Sequence, residues 1–186
     1  MKKFEPIHIN ATEEDFKGNK KAGRYIFFPG STGRAKHIAE RFSNLKVKEH
    51  PRGRNLYLGT IEKDGQKIDV GSVSSGMGTP SLDIICSELL KLGAKRLLRV
   101  GSSGALQSDR MKIGDFVVAT GSVRDEGASR CYTPLEYPAI APLDMVYASQ
   151  LAAKRLKFES KVHTGIIHSK DSPLCQGVQR RPSWEE

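Results

Sequence analysis

The chain has 186 residues, 38% hydrophobic and 27% charged, about one domain's length with enough apolar side chains for a core, which excludes a disordered or fibrous protein. The formal net charge of +9 comes from lysines and arginines spread along the whole chain, with no basic run, aromatic-interleaved platform or helix-turn-helix spacing, so a nucleic-acid partner is not expected. No apolar stretch approaches the ~20 residues of a membrane-crossing helix, and Met1-Lys2-Lys3-Phe4-Glu5-Pro6 turns polar where an export signal would be apolar, so the expectation is a cytoplasmic protein without a membrane partner.

In chain order, Arg24 to Phe28 is a short apolar, aromatic run that ends at Pro29-Gly30, as a buried strand meets a turn. From Arg34 the spacing becomes helical, with Ile38, Ala39 and Phe42 on one face and Lys36, Glu40 and Arg41 on the other. Leu56 to Ile61 and Lys67 to Ser74 read as an antiparallel hairpin around Lys63-Asp64-Gly65-Gln66, because Asp-Gly suits a tight two-residue turn. Ser75-Gly76-Met77-Gly78-Thr79-Pro80 then leads into a helix over Ser81 to Leu92, with Ile84, Ile85, Leu89, Leu90 and Leu92 at helical spacing behind an early proline.

After Gly93, Arg96 to Val100 and the valine-rich Asp115 to Thr120 read as central strands. Leu143 to Leu156 is an amphipathic helix and Val162 to His168 a strand. Strand and helix alternate through most of the chain, which predicts an α/β fold: a mixed central β-sheet flanked by helices, with ligands at the C-terminal ends of strands.

Two glycine turns sit where that geometry puts a site. Pro29-Gly30-Ser31-Thr32-Gly33-Arg34 follows a strand and opens a helix, so backbone N–H groups and a guanidinium in the first turn can cradle an anion. It lacks the Lys-Ser/Thr ending of a nucleotide-binding P-loop, so the expected guest is free phosphate; an ordinary strand-to-helix turn is the alternative. In Leu98-Arg99-Val100-Gly101-Ser102-Ser103-Gly104-Ala105, an arginine in an apolar strand needs an ionic partner, either a bound anion or a core carboxylate. Glycines there admit a ligand to the backbone, and the two hydroxyls can donate to phosphate or accept from a sugar. Arg54 and His8, taken alone, look like surface residues. The three cysteines, Cys86, Cys131 and Cys175, are scattered and odd in number, which suits reduced thiols rather than disulfides or a metal site.

Together these segments resemble the nucleoside phosphorylase family and, within it, the uridine phosphorylases. The resemblance runs through Ile7-His8-Ile9, Pro29-Gly30 to Arg34, Ser75-Gly76-Met77-Gly78-Thr79-Pro80-Ser81, Leu98 to Gly104, Ser122-Val123-Arg124-Asp125-Glu126-Gly127-Ala128-Ser129 and Pro134-Leu135-Glu136-Tyr137-Pro138-Ala139. It implies the family's three-layer fold and reversible phosphorolysis: uridine and inorganic phosphate give uracil and ribose 1-phosphate. Phosphate is then a co-substrate, and no further cofactor or metal is expected.

Carried over by position, Gly30, Arg34, Arg54, Arg99 and Ser102 would hold phosphate, with Arg34 and Arg99 as the catalytic pair. His8, Ser103 and Gly104 would contact the nucleoside. The resemblance also implies that His8 and Arg54 serve a neighbouring subunit's site, hence a homo-oligomer, a dimer or a hexamer built as a trimer of dimers. Arg52 is the alternative to Arg54. Where the bacterial relatives hold potassium with a glutamate, Asn55 stands here, so that ion is not expected.

The resemblance ends near Ser172. Residues 173–186, from Pro173 to Glu186, show no periodic pattern and lack the base-reading and ribose-gripping segments of the family, which divides the chain into an incomplete phosphorylase-like domain over 1–172 and a non-homologous tail. An altered reading frame near Ser172-Pro173 would account for such a tail, and weak activity and lowered stability are the expected consequences. The sequence leaves open a purine nucleoside phosphorylase, a hydrolytic nucleosidase and a catalytically inactive binding subunit.

Overall fold

The structure is a computed structural model and describes residues 4–171. The chain is α/β and divides into two compact units, one ending at Ser103 and one beginning at Gly104. The expected boundary at 172 and the tail beyond it lie outside the described residues.

The first unit is built on a five-stranded mixed sheet. Its elements are β1 (Tyr25–Phe27), α1 (Thr32–Ala39), β2 (Ser43–Lys48), β3 (Leu56–Lys63), β4 (Gln66–Ser72), α2 (Gly78–Lys91) and β5 (Arg96–Leu98). The strand order is β2-β3-β4-β1-β5, with β1 parallel to both β4 and β5 and the other pairs antiparallel. The β3–β4 hairpin turns as Asp-Gly predicts: Asp64 and Gly65 both take positive φ, 51° and 71°, the twist that a tight antiparallel connection requires.

Alternation along the strands gives the sheet two apolar faces. Ile26, Leu56, Leu58 and Val73 pack with Ile85, Leu89 and Leu92 on the α2 side, while Val70, Phe27, Tyr57 and Ile61 pack with Ala39 and Phe42 on the α1 side. Helix, sheet and helix therefore form three layers. Ile26, Leu56, Ile85 and Leu89 are 0–1% exposed, and burying each such side chain stabilises the fold by about 1.5–3 kcal/mol.

One strand that the sequence reading lacks, and two of the boundaries that differ from it, bear on the site. Strand β2 carries no buried residue and pairs on one side only, so it has none of the apolar alternation by which a strand is read. Helix α1 begins earlier than expected, at Thr32, because Ser31 caps it. Strand β5 stops at Leu98 and lies at the sheet edge, so Arg99 stands just past a strand end rather than inside a central strand. Its partner β1 has only three residues, and that limits the pairing.

The second unit holds a three-stranded sheet, order β7-β6-β8, made of β6 (Phe116–Asp125), β7 (Ala139–Ile140) and β8 (Val162–Lys170), with α3 (Leu143–Arg155) before β8. Strands β6 and β8 run parallel across nine registered pairs from Phe116↔Val162 to Asp125↔Lys170, shifting once between Ala119 and Gly121. Among the described residues of this unit, Ala153 alone is a buried hydrophobic. Among the described residues no helix is long and apolar enough to cross a membrane.

Candidate active site

The residues singled out in the first unit form two groups. The first lies where β1 and β5 end side by side. Phe28 N donates to Leu98 O at 2.8 Å, so the parallel pairing continues one step past the end of β1 and brings Pro29-Gly30 beside Arg99. Arg99 Nη1 donates to Phe28 O at 3.2 Å, which turns the guanidinium back over the first glycine bend. A methyl group on Gly30 would sit 3.2 Å from Arg99 Nη2 and 3.4 Å from Gly76 O, and a Cβ on Gly101 would sit 3.6 Å from Arg99 Cζ. Glycine is therefore favoured at position 30 by close approach rather than by backbone angle.

Arg34 enters the same group from the first turn of α1. Ser31 caps that helix, its Oγ accepting from Arg34 N at 3.4 Å. Burial, and after it the positive charge of Arg34, hold the Arg99 guanidinium below its ordinary pKa. Two like charges are thus close enough to repel. Among the described residues neither forms an ion pair with a carboxylate, the other arrangement the sequence had left open for Arg99. An anion placed between them would relieve that repulsion and take a bidentate contact from each.

The loop between β4 and α2 closes one wall. Ser74 Oγ donates to Gly30 O at 2.7 Å and accepts from Gly76 N at 3.1 Å, while Ser75 N donates to Pro29 O at 2.8 Å. Ser74 and Ser75 are almost fully buried, so their bonds lock this loop against the glycine bend rather than face a ligand. Ser102 and Ser103 follow Arg99 in exposed coil; Gly104 is equally exposed and opens the second unit.

The second group contains His8, Arg52 and Arg54. They line a cavity of about 560 Å³ with Met77, Pro80, Ser81, Ile84 and Ile85. Arg54 Nη2 donates to Ser81 Oγ at 3.0 Å, and that hydroxyl donates onward to Ser75 O at 2.9 Å. The Arg54 guanidinium lies over Gly76, where any side chain would collide with it. Arg34 and Arg99 do not line this cavity, but Arg54 also approaches their glycine bend, because its guanidinium lies over Gly76, whose carbonyl oxygen would be 3.4 Å from a Cβ on Gly30. Asn55 Oδ1 accepts from His50 N at 3.0 Å and so ties down the turn that carries Arg52 and Arg54.

Sequence reasoning passed over two residues here. Ser81 orients Arg54, and Glu88, two turns further along α2, holds His8. The Glu88 carboxylate, 7% exposed, accepts from Ile7 N at 2.9 Å, from His8 N at 3.1 and 3.0 Å, and from His8 Nδ1 at 2.8 Å. Burial pushes this carboxyl's pKa up, but the hydrogen bonds from His8 and from the two backbone N–H groups outweigh it, so the group stays below its ordinary value. The signal was present: Glu88 falls on the apolar stripe with Ile85, Leu89 and Leu92, where a carboxylate without partners would be costly.

In the second unit Arg124 is clamped by the loop that follows it. Its guanidinium donates to Ser129 Oγ and to the carbonyls of Ser129, Thr133, Pro134 and Tyr137, at 2.7–3.3 Å. This accounts for part of the Ser122 to Ala139 motif as loop architecture.

Residues 24–181 match the family model described as Phosphorylase superfamily. The chain is 35% identical over 150 residues to a uridine phosphorylase of Treponema pallidum, covering 81% of this chain and 55% of that protein. It is 36% identical over 166 residues to a uridine phosphorylase of Haemophilus influenzae, covering 89% and 62%. A guanosine phosphorylase of Halorubrum lacusprofundi is 34% identical over 158 residues, covering 85% and 63%. The matched region thus spans less than two thirds of the length of these relatives. It holds both glycine bends and all three arginines, and the chain belongs to the phosphorylase superfamily.

Proposed function

We propose that this protein carries out phosphorolysis of a ribonucleoside, with uridine as the first substrate to test. The observation that carries the reading is the Arg34–Arg99 pair, two guanidiniums at adjoining glycine bends with no carboxylate bound to them among the described residues. A pair of cations held together without a counter-ion is suited to a small multivalent anion, and phosphate accepts bidentate contacts from both.

Phosphate held by Arg34, Arg99 and the Gly30 and Ser102 backbone is the nucleophile. One of its oxygens bonds to the anomeric carbon as the bond from that carbon to the base nitrogen breaks. The bonding electrons leave with the base, which takes up a proton from water, and ribose 1-phosphate remains. The transition state has oxocarbenium character between an anionic nucleophile and a departing anionic base, as in glycoside hydrolysis. The arginines contribute by fixing the nucleophile and its charge in advance, so little ordering remains to be done at the moment of reaction. Ser103 and Gly104 lie beside the nucleoside, and His8 engages its 5′-hydroxyl. The likeness of His8 and Arg54 to the family's residues, together with their shared cavity, supports an oligomer in which one subunit's His8 and Arg54 complete another's site. Cytoplasmic location and independence from metals belong to the same proposal.

The names of the relatives favour uridine, and the guanosine phosphorylase among them makes a purine the second candidate. Release of free base from uridine, inosine and guanosine by the purified chain, with and without phosphate, tests the reading. Base release that requires phosphate and yields ribose 1-phosphate is the expected result. Equal release in phosphate-free buffer identifies a hydrolase, and phosphate binding without release from any nucleoside identifies a binding subunit.

A further inference from the structure

Glu88 is an acceptor-only group whose bonds are concentrated on one short segment some eighty positions away in the chain. Two backbone N–H bonds, from Ile7 and His8, would be enough to pin that segment to α2. The third donor, the imidazole Nδ1 at 2.8 Å, does something further. A carboxylate cannot donate, so the ring nitrogen facing it must carry the hydrogen. In neutral His8 the proton then sits on Nδ1, and Nε2 is left with its lone pair on a ring that lines the cavity.

We propose that Glu88 is a positioning residue for the nucleoside: it fixes His8 as the Nδ1–H tautomer, so that Nε2 accepts the hydrogen of the sugar's 5′-hydroxyl. This rests on the phosphorolysis reading above and adds to it a residue outside the ligand's reach. Helix α2 supplies the rigidity. Ile85, Leu89 and Leu92 are buried around Glu88, so the carboxylate has little freedom to follow a wandering ring. Ser81, seven positions earlier on the same helix, anchors Arg54 of the same cavity. One helix therefore sets both polar groups against the cavity wall.

The test uses the full chain labelled with ¹⁵N-histidine. Ring nitrogen shifts read the tautomer of His8, assigned with His8→Gln. Base release is measured for uridine and for 5′-deoxyuridine, which lacks the hydroxyl in question. The wild-type chain is expected to show the Nδ1–H form and a preference for uridine. Glu88→Leu is expected to lose the fixed tautomer, to raise the KM for uridine about five- to tenfold with kcat little changed, and to leave 5′-deoxyuridine unaffected. Glu88→Gln keeps an acceptor oxygen toward Ile7 N and His8 Nδ1, so it is expected to restore the tautomer and most of the uridine preference, which a purely structural role would not do.

An Nε2–H tautomer in the wild type overturns the proposal. So does an undiminished uridine preference in Glu88→Leu; phosphate-dependent release in that variant would leave the phosphorylase reading standing. A Glu88-dependent tautomer in a chain that releases no base from any nucleoside overturns the phosphorylase reading and the hydroxyl role with it.

Discussion

The guanidinium of Arg99 stands so close to the Gly30 backbone that a single added methyl group would lie 3.2 Å from its Nη2. Few real Cβ contacts are that close, so the guanidinium would have to give by a few tenths of an ångström, whereas the second neighbour, Gly76 O at 3.4 Å, lies at the edge of ordinary contact. Gly30→Ala should therefore push Arg99 off its seat without straining the Gly30 backbone. The expected outcome is a phosphate Kd raised about tenfold, with a cost in unliganded stability of about 1 kcal/mol or less. At saturating phosphate, a tenfold weaker Kd removes about 1.4 kcal/mol of ligand-induced stabilisation. Thermal unfolding across a phosphate titration measures both quantities. An unaltered phosphate response would remove Gly30 from the site.

On the proposed reading, Arg34 and Arg99 place function at some expense to stability. Because the charge of Arg34 disfavours the charged form of Arg99, removing it should relieve the unliganded protein. Arg34→Gln is expected to unfold at the same or a higher temperature in phosphate-free buffer and to lose most of the stabilisation that phosphate gives the wild type. Arg99→Lys keeps the charge but not the planar fork, and is expected to retain only part of it. Calorimetry of the three proteins with and without phosphate checks the pattern. A large loss of stability in Arg34→Gln without phosphate would mean that Arg34 has a structural partner.

The sequence made the α/β order readable because the first unit obeys its periodicities: alternation along β3 and β4, helical spacing along α2, and Asp64-Gly65 at the β3–β4 hairpin. Gly30, Arg34 and Arg99 were legible as neighbours because each sits beside a glycine turn that follows a strand end. Strand β2 was not legible, since an edge strand with both faces in water has no pattern to keep. Glu88 and Ser81 were missed for another reason. Their partners, His8 and Arg54, are distant in sequence, and spacing along one helix says nothing about what packs against it. That Arg54 and His8 line one cavity is likewise a property of the tertiary fold.

Arg124 offers a test of the second unit by itself. Its five bonds gather carbonyls from Ser129 to Tyr137, and no single lysine nitrogen could reach them all. Arg124→Lys is expected to destabilise the unit nearly as much as Arg124→Met, by about 1–3 kcal/mol, because carbonyls held together without donors repel one another. Hydrogen exchange should rise across residues 127–137 in both variants and stay unchanged in β3 and β4. Full protection in Arg124→Lys would show that charge alone suffices.

Asp15 gives the pH dependence its sign, together with Glu88. Burial pushes the Asp15 carboxyl's pKa up, but the Lys48 ammonium at 2.6 Å and the Thr12 N–H and hydroxyl at 2.7 and 3.0 Å outweigh it, so the folded-state value is lowered. Glu88 is lowered in the same way by the Ile7–His8 segment. A carboxyl whose pKa is lower in the folded than in the unfolded chain contributes stability that is fully present above the unfolded value. That contribution is lost as pH falls through the folded value. Stability should therefore hold from neutral pH down to the ordinary carboxylate range of about 4 and decline below it. Asp15→Asn and Glu88→Gln cannot protonate, so each is expected to be less stable than wild type at pH 7 and to show a shallower acid limb. The wild-type advantage should shrink as the pH falls. Chemical denaturation at stepped pH values measures this, and a variant whose deficit stayed constant down to the lowest pH would show that its carboxylate contributes nothing through its charge.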